Sequence, residues 1–419
     1  MSHLLQLVLV LALVVASAKL AGAAAVRASQ PAVFGEILAG LLLGPTLLNV
    51  LGWPVFGASD AAPPLLSIVQ DLADVGVILL MFVAGLETDV SELRRVGRVA
   101  FWSAAGGVAL PMAGGIAVAS WLGVSIFWEG IFIGTILTAT SVSISAQTLM
   151  ELGVVQSREG SAILGAAVID DVMGIVVLSV VVAFAQTEGR GGVGQVAMIL
   201  GRIALFFLAA WVVRPHLDRI AGWGDRLGVS QGLLATVLVV ALLFAWAAEF
   251  IGGVAAITGA YVAGVFLTSS RFKERIDQGV HPVAYSLLVP VFFISIGLRA
   301  DARTIGAHPA LTLGLIAAAV LGKIAGCGVP ARLCGFSPRQ SLRVGVGMIS
   351  RGEVGLIVAA YGLAHHLVGR DVFSAAVLVI LVTTMMTPPL LRMTFDRERQ
   401  GTVTIEEAIA HAPAPDGSL

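Results

Sequence analysis

Thirteen apolar runs, each long enough to cross a lipid bilayer, follow one another along the chain. They lie at about residues 3–25, 32–50, 73–90, 99–121, 127–150, 160–186, 194–213, 230–250, 253–270, 283–298, 308–331, 341–363 and 372–392. Because the bilayer core offers no water to backbone groups, long apolar runs of this kind form helices. Only 12% of the 419 residues are charged, against roughly 25% in soluble domains. These features predict an all-α polytopic membrane protein with 13 transmembrane helices and no soluble domain.

Three features at the edges of this pattern have simple interpretations. The first run resembles a signal peptide, but no Lys or Arg precedes it and it exceeds the 7–15 apolar residues of such signals. We interpret it as the first membrane helix. The polar, Ala/Pro-rich segment after Arg397 is predicted to be disordered. Cys327 and Cys334 are two helical turns apart, about 10 Å and too far for a disulfide, so we expect free packing residues.

Lysine and arginine residues are concentrated on one side of this arrangement. With thirteen consecutive crossings, eighteen of the 25 Lys and Arg residues fall on one face and five on the other. Since cytoplasmic loops carry an excess of such residues, the asymmetry predicts an N-terminus outside the cell and a cytoplasmic C-terminus in the inner (plasma) membrane. The two remaining cations, Lys323 and Arg351, lie within apolar runs and need partners there.

Two adjacent carboxylates, Asp170 and Asp171, lie in the middle of the sixth run. On insertion scales each Asp at the centre of a membrane helix costs roughly 2.5–3.5 kcal/mol, and such residues usually mark an ion or proton pathway. Adjacent side chains on a helix point about 100° apart. We therefore expect divided roles, with one carboxylate facing a substrate cavity and the other facing a cation on a neighbouring helix.

The sequence contains an internal repeat. The first half has Gly35-Glu-Ile-Leu-Ala-Gly40 and then Met81-Phe-Val-Ala-Gly85, and the second half has Gly259-Ala-Tyr-Val-Ala-Gly264 and then Phe293-Ile-Ser-Ile-Gly297. Each pair is followed about fifty residues later by a polar interruption of an apolar run, at residues 138–142 and 347–353. An odd number of crossings separates the corresponding helices. The pattern predicts inverted-topology repeats with two discontinuous crossing helices, as in many secondary transporters.

The two interruptions offer further oxygen ligands that an ion site at the two carboxylates would need. Unpaired backbone groups at a broken helix are tolerated only beside a cavity or partner groups. Carbonyls and the hydroxyls of Thr140 and Ser141 are hard oxygen donors suited to a small cation. Taken alone, these hydroxyls favour interhelical packing contacts over an ion site. The nearby Asp pair and the matching break in the second half favour an ion site.

Three charged residues near the second break need partners. Lys323 lies one helix before it, and a buried Lys requires a carboxylate neighbour, for which Asp170 is the candidate. The alternative is a Lys near a helix end that reaches the membrane surface. Arg351 and Glu353 are two residues apart and cannot share one helix face. We expect them to stabilise the broken helix rather than to contact the ion.

Four motifs occur together: Ala139-Thr-Ser-Val142, Gly165-Ala-Ala-Val-Ile-Asp-Asp-Val-Met-Gly174, Gly322-Lys323 and Arg351-Gly-Glu-Val-Gly355. Together they resemble the sodium/proton antiporters of the second monovalent cation/proton antiporter family, NapA type. The resemblance covers roughly residues 1–395. The Asp-Asp pair with the downstream Lys is its specific part, because the glycine motifs alone are weak.

The resemblance implies the NhaA/NapA-like antiporter fold in a homodimer, with two structural units per protomer. The dimer domain would comprise residues 1–93 and 229–304, and the core ion-translocation domain residues 94–190 and 305–395. A linker helix, 191–228, would join the two units, and a disordered cytoplasmic tail, 396–419, would follow them.

The resemblance also assigns roles to individual residues. Asp171 would be the main carrier of ion and proton. Asp170 would pair with Lys323 and exchange that partner when the ion binds, so that both aspartates contact Na⁺. Thr140 and Ser141 would contribute to the ion site.

The function predicted in this way is secondary active exchange of intracellular Na⁺ or Li⁺ for external H⁺ by alternating access. We expect it to be electrogenic, without enzyme activity, cofactor or nucleic-acid partner. A potassium/proton antiporter is the nearest alternative, because side-chain identity does not fix cavity size. A passive cation channel would need a continuous pore. An intramembrane aspartyl protease would place its aspartates on different helices, and a bile-acid-type symporter would not need the Asp-Asp/Lys set.

Overall fold

The computed structural model describes residues 2–56, 65–123, 129–186, 192–299, 309–364 and 367–410. In these residues the chain forms seventeen α-helices and no strand. The first eight are α1 (His3–Arg27), α2 (Ala32–Leu43), α3 (Leu65–Glu87), α4 (Val90–Trp121), α5 (Ile131–Thr138), α6 (Val142–Glu151), α7 (Arg158–Gln186) and α8 (Gly192–Val213).

The remaining nine helices complete the bundle. They are α9 (Leu217–Asp225), α10 (Gly232–Ala247), α11 (Ala256–Leu267), α12 (Lys273–Val283), α13 (Val289–Arg299), α14 (Pro309–Leu333), α15 (Pro338–Gly347), α16 (Glu353–Ala364) and α17 (Arg370–Ala410). One π-helical turn follows α10, at Ala248–Gly252, and another, Ala284–Leu288, joins α12 to α13.

Most of the predicted runs form helices of membrane-spanning length. Within the described residues, ten helical segments are long and apolar enough to cross a membrane. The three other predicted runs, 32–50, 253–270 and 341–363, contain the shorter helices α2 and α11 and the interrupted pair α15 and α16. The protein is therefore an all-helical, multi-pass membrane protein.

Two helices are interrupted where the sequence has polar residues. The first is divided between Thr138, the last residue of α5, and Val142, the first of α6. The second is divided between Gly347, which ends α15, and Glu353, which begins α16. The non-helical segments meet, because the Ser141 amide donates to the Ser350 carbonyl at 2.8 Å.

Glycines let several helices approach each other backbone to backbone. A Cβ atom on Gly40 of α2 would lie 2.2 Å from the Ile294 carbonyl oxygen of α13, and one on Gly297 would lie 2.2 Å from the Leu41 amide nitrogen. A Cβ on Gly85 of α3 would lie 2.3 Å from the Tyr261 carbonyl oxygen of α11. No side chain fits at these three positions, so the crossing helices are in direct backbone contact.

The helices differ from the predicted runs mainly at their ends. α3 begins at Leu65 rather than at residue 73, because the helix continues through the exposed Asp71, whose polarity ended the apolar run. Predicted run 283–298 is the second part of a continuous helical segment that begins at Lys273.

The C-terminal segment also differs from its prediction. α17 continues to Ala410, where the sequence predicts disorder after residue 396. Its last turns contain Glu406, Glu407 and Ala408, which are good helix formers. Residues 411–419 lie outside the described residues.

Candidate functional site

An ion pair joins α7 to α14 inside the bundle. Lys323 Nζ lies 3.0 Å from Asp170 Oδ1, and the two side chains are 0% and 2% exposed. Space for it comes from Gly107 of α4, where a Cβ would lie 2.5 Å from Cys327 Sγ and 3.5 Å from Lys323 Nζ. Because both charges are out of water, each depends on the other for compensation. The alternative of a lysine that reaches the membrane surface does not fit this burial.

Asp171 faces a different helix from Asp170. Its Oδ2 accepts a hydrogen bond from the Thr258 hydroxyl of α11 at 3.2 Å, and both side chains are buried. The two carboxylates therefore lie against different elements, as their spacing on one helix requires. Asp170 is paired with a cation, and the Asp171 carboxylate accepts from the Thr258 hydroxyl.

The first helix break places several polar groups in the interior of the protein. The Ser350 hydroxyl donates to the Ser141 carbonyl at 2.7 Å, and the Ser141 and Ser143 hydroxyl oxygens lie 3.1 Å apart. Thr140 is 3% exposed, and its Oγ1 has no hydrogen-bond partner among the described residues. A buried hydroxyl without a partner is costly. Thr140 is therefore available to a ligand.

Arg351 connects the second helix break to α5 and α14. Its guanidinium donates to the Ile349 carbonyl at 2.9 Å, the Leu137 carbonyl at 2.7 Å and the Ala319 carbonyl at 3.3 Å. Leu137 is in the last turn of α5, where carbonyls lack helical partners. These contacts fit a residue that holds the two broken helices in register. Glu353 is the first residue of α16, and its side chain is outside the described part of the chain.

The charges at the centre of the bundle form one electrostatic group. Arg351 interacts with Asp170 through space, in addition to the contact of Asp170 with Lys323. Within the described residues, no cluster of three His, Cys, Asp or Glu side chains could hold a metal ion. Carboxylates, hydroxyls and freed carbonyls are hard oxygen donors suited to a small cation.

A cavity of about 510 Å³ opens at one end of the bundle between α2 and α6. Its charged lining residues include Lys19, Glu36, Glu87, Glu151 and Arg392. The Glu151 carboxylate accepts hydrogen bonds from the first two amides of α2, Ala32 at 2.6 Å and Val33 at 3.3 Å. It thereby caps a helix whose own N-cap residue, Pro31, provides no side-chain bond.

Two contacts of charged groups were not predicted from the sequence. Thr258 gave no signal, because a single threonine in an apolar run is typical of packing. Glu159 was not singled out, and Arg343 was counted only among the cations of a connection, yet the two form a buried ion pair of 2.7 Å between α7 and α15. The local sequence gives no signal for this pair, because polar residues precede both of its members: Gln156, Ser157 and Arg158 before Glu159, and Arg339, Gln340 and Ser341 before Arg343.

Comparison with known proteins identifies a family. The sequence model described as "Sodium/hydrogen exchanger, transmembrane" matches residues 10–396. A relative from Bacillus cereus, the Na(+)/H(+)-K(+) antiporter GerN, is 39% identical over 388 residues, which cover 92% of this chain and 95% of the relative. A Na(+)/H(+) antiporter from Enterococcus hirae is 34% identical over 87% of this chain and 92% of its own length.

The fold is similar to that of a solved antiporter. The structure of the sodium proton antiporter MjNhaP1 from Methanocaldococcus jannaschii at pH 8 superposes with a TM-score of 0.67. The match covers 93% of this chain and 97% of that one, at 16% sequence identity. At this identity the likeness concerns the fold.

Proposed function

The chain belongs to the sodium/hydrogen exchanger family, and from that premise we propose that it exchanges Na⁺ for H⁺ across the cell plasma membrane. The observation that carries the proposal is the buried Asp170–Lys323 pair beside a second buried carboxylate, Asp171. A membrane protein retains such groups where an ion or proton passes. The relatives named as Na⁺/H⁺ antiporters support the same activity.

We propose that the chain forms two inverted repeats with thirteen crossings. Reciprocal contacts support this arrangement: Gly40 of the first half meets α13 of the second, and Gly264 of the second half meets α3 of the first. The two helix breaks also bond to each other, through Ser141 and Ser350. In this plan α11 corresponds to α2, and α13 corresponds to α3. The contact of α2 with α13 is therefore matched by the contact of α11 with α3, as a pseudo-twofold axis requires.

Within this plan we propose the two structural units expected from the sequence. The dimer unit contains α1–α3 and α10–α13, the core unit contains α4–α7 and α14–α17, and the linker contains α8 and α9. We propose that the end with the excess of Lys and Arg faces the cytoplasm, so that the 510 Å³ cavity would be an inward-facing vestibule. α1 exposes Leu4, Leu5, Val8 and Leu9, an apolar face available to lipid or to a second copy in a homodimer.

In the proposed mechanism, Na⁺ and protons compete for the aspartates. Na⁺ binding at Asp171 and Asp170 displaces protons and draws Asp170 away from Lys323. Thr140, whose hydroxyl has no partner among the described residues, and freed carbonyls at the break complete the oxygen shell. A bare carboxylate at mid-membrane is costly, so only the ion-filled or protonated core unit crosses between access states. Exchange of two protons per Na⁺ moves net charge, and we propose that the transport is electrogenic.

Proteoliposomes provide the test. A proton gradient is imposed and its collapse is followed after adding Na⁺, Li⁺ or K⁺ to wild type, Asp171→Asn and Lys323→Ala. We expect collapse with Na⁺ and Li⁺, lost in Asp171→Asn and strongly reduced in Lys323→Ala. Collapse with K⁺ would assign the chain to potassium/proton antiport.

The matched control is Asp89→Asn, which removes an exposed carboxylate but keeps its capping oxygen. This variant should exchange Na⁺ as wild type does. Unchanged Na⁺ exchange in Asp171→Asn would refute the assignment of Asp171 as carrier. Discrete single-channel currents that persist without a proton gradient would instead indicate a passive channel.

A further inference from the structure

Thr258 contacts the Asp171 carboxylate from the other structural unit. Its Oγ1 lies 3.2 Å from Asp171 Oδ2, and the side chains are 1% and 7% exposed. In the proposed arrangement, α7 with Asp171 belongs to the core unit, and α11 with Thr258 belongs to the dimer unit. The bond therefore crosses the boundary along which the two units move.

The Thr258 hydroxyl bonds to another helix, whereas many described threonines bond to a carbonyl of their own segment. Seven described threonines donate their hydroxyl to the carbonyl four residues earlier: Thr88, Thr135, Thr148, Thr236, Thr268, Thr383 and Thr387. Thr258 is in the first turn of α11, and its counterpart carbonyl, on Val254, precedes the helix. Its hydroxyl is directed instead to a carboxylate of another helix.

α11 is held firmly against its own unit. A Cβ on Gly259 would lie 2.1 Å from the Phe244 carbonyl oxygen of α10, and a Cβ on Gly264 would lie 2.2 Å from the Phe82 carbonyl oxygen of α3. The Tyr261 and Thr88 hydroxyl oxygens lie 3.1 Å apart. Because α11 is locked to α3 and α10 by backbone contact, Thr258 cannot follow Asp171 when the core unit moves.

A hydroxyl at this position suits each state of the carrier. It donates to an ionised carboxylate, accepts from a protonated one, and offers an oxygen lone pair to a cation bound there. Alkali cations prefer hard oxygen ligands. We propose that Thr258 supplies one oxygen ligand to the transported Na⁺ at Asp171, in one access state only. This inference rests on the proposed function, because it concerns the same site.

The consequence is an ion site whose affinity depends on the side from which it is loaded. In the access state with Thr258 at Asp171, the dimer unit contributes a ligand. In the other state the core unit must bind Na⁺ with its own groups. The Na⁺ affinity should therefore differ between the two faces of the membrane because of one hydroxyl.

The test compares Thr258→Val, which keeps the shape and loses the hydroxyl, with Thr258→Ser, which keeps the hydroxyl. The apparent KM for Na⁺ is measured in right-side-out and inside-out membrane vesicles. The matched control is Thr236→Val on α10, whose hydroxyl bonds to the Gly232 carbonyl of its own helix. For Thr258→Val we expect KM to rise about tenfold on one face and to remain unchanged on the other. Thr258→Ser and Thr236→Val should stay within about twofold of wild type on both faces.

Other results would overturn the inference. An unchanged KM on both faces would show that the hydroxyl does not contact the ion. An equal rise on both faces would show that Thr258 stays with Asp171 in both states. A lower maximal rate with an unchanged KM would assign Thr258 to the movement of the units.

A second measurement tests the inference if Thr258→Val is poorly expressed. The shift of the thermal denaturation midpoint on adding Na⁺ to detergent-solubilised protein should be smaller in Thr258→Ala than in wild type. An equal shift in the two proteins would overturn the inference. Failure of wild type itself to exchange Na⁺ for H⁺ would contradict the proposed function, so the two failures are distinguishable.

Discussion

Ser141 and Ser350 exchange two hydrogen bonds where the two interrupted helices meet. The Ser141 amide donates to the Ser350 carbonyl at 2.8 Å, and the Ser350 hydroxyl donates to the Ser141 carbonyl at 2.7 Å. Both groups are buried and lack helical partners because the chain is not helical there. Each break thus satisfies the polar groups that the other leaves open.

Removal of the Ser350 hydroxyl should weaken this junction. In Ser350→Ala the buried Ser141 carbonyl loses a donor, which costs about 1–3 kcal/mol of stability. Thermal denaturation in detergent would measure it as a lower midpoint. The control is Ser295→Ala, which removes a buried hydroxyl bonded to the Phe292 carbonyl of its own helix. A similar loss in both variants would contradict a special role for the junction.

Arg351 should not be replaceable by lysine. Its planar guanidinium reaches the carbonyls of Ile349, Leu137 and Ala319 together, and an ammonium group cannot reproduce that fork. We expect Arg351→Lys to lose about 2 kcal/mol of stability or more. The exposed Arg94→Lys is the control and should be neutral. Equal stability of Arg351→Lys and wild type in denaturation would refute the proposed structural role.

The Asp170–Lys323 pair should show strong coupling. Lys323→Met leaves a buried carboxylate without its cation, which costs about 3–5 kcal/mol. The double variant Asp170→Asn, Lys323→Met removes both charges and should be more stable than Lys323→Met alone. Denaturation midpoints of the wild type, the two single variants and the double variant form the required cycle. Additive effects would mean that the two groups do not compensate each other.

Substitution of glycine by alanine should lower the stability of the protein at Gly40 and raise it at Gly97. At Gly40 a Cβ would lie 2.2 Å from the Ile294 carbonyl oxygen, so Gly40→Ala must push α2 away from α13 and should cost about 1–3 kcal/mol. At Gly97 of α4 nothing lies within 4 Å, and Gly97→Ala should stabilise the helix by about 0.5–1 kcal/mol. Both shifts can be read from denaturation midpoints. Stabilisation by Gly40→Ala would contradict the close crossing.

The cap at the start of α4 should depend on pH. Hydrogen bonds from the Ser91 hydroxyl and from the Glu92 and Ser91 amides lower the pKa of Asp89 below its usual value. Stability from a carboxylate with a lowered folded pKa is present above its unfolded pKa, about 3.9, and is lost as the pH falls through the folded value.

Denaturation midpoints between pH 7 and pH 3 would check this pH dependence. Asp89→Ala should be less stable than wild type at pH 7 by at most about 1 kcal/mol, because the site is exposed. The difference should shrink towards pH 3. Asp89→Asn is the control, because it keeps the cap without titrating. A pH-independent difference in stability between Asp89→Ala and wild type would contradict the prediction.

The sequence predicted local features better than distant contacts. Polar residues within apolar runs indicated the two helix breaks, and the need of a buried lysine for a carboxylate indicated Asp170 as the partner of Lys323. Both inferences follow from the high cost of isolated polar groups in lipid.

Other contacts depend on packing that no local pattern encodes. Thr258 reaches Asp171 only because α11 crosses close to α7. Glu159 and Arg343 pair only because α15 packs beside α7. Helix ends were also inaccurate, as at Leu65, because backbone hydrogen bonding continues through polar residues at the membrane surface.

The glycine crossings of α2 with α13 and of α3 with α11 have a consequence for how far the sequences of such proteins can diverge. Where two backbones touch directly, the contact depends on the absence of side chains and on groups that every residue has. Substitutions elsewhere on these helices can accumulate without disturbing the joint, provided that the small residues remain. Chains with little sequence in common can therefore retain the same arrangement of helices, while the ion site within it changes its preference.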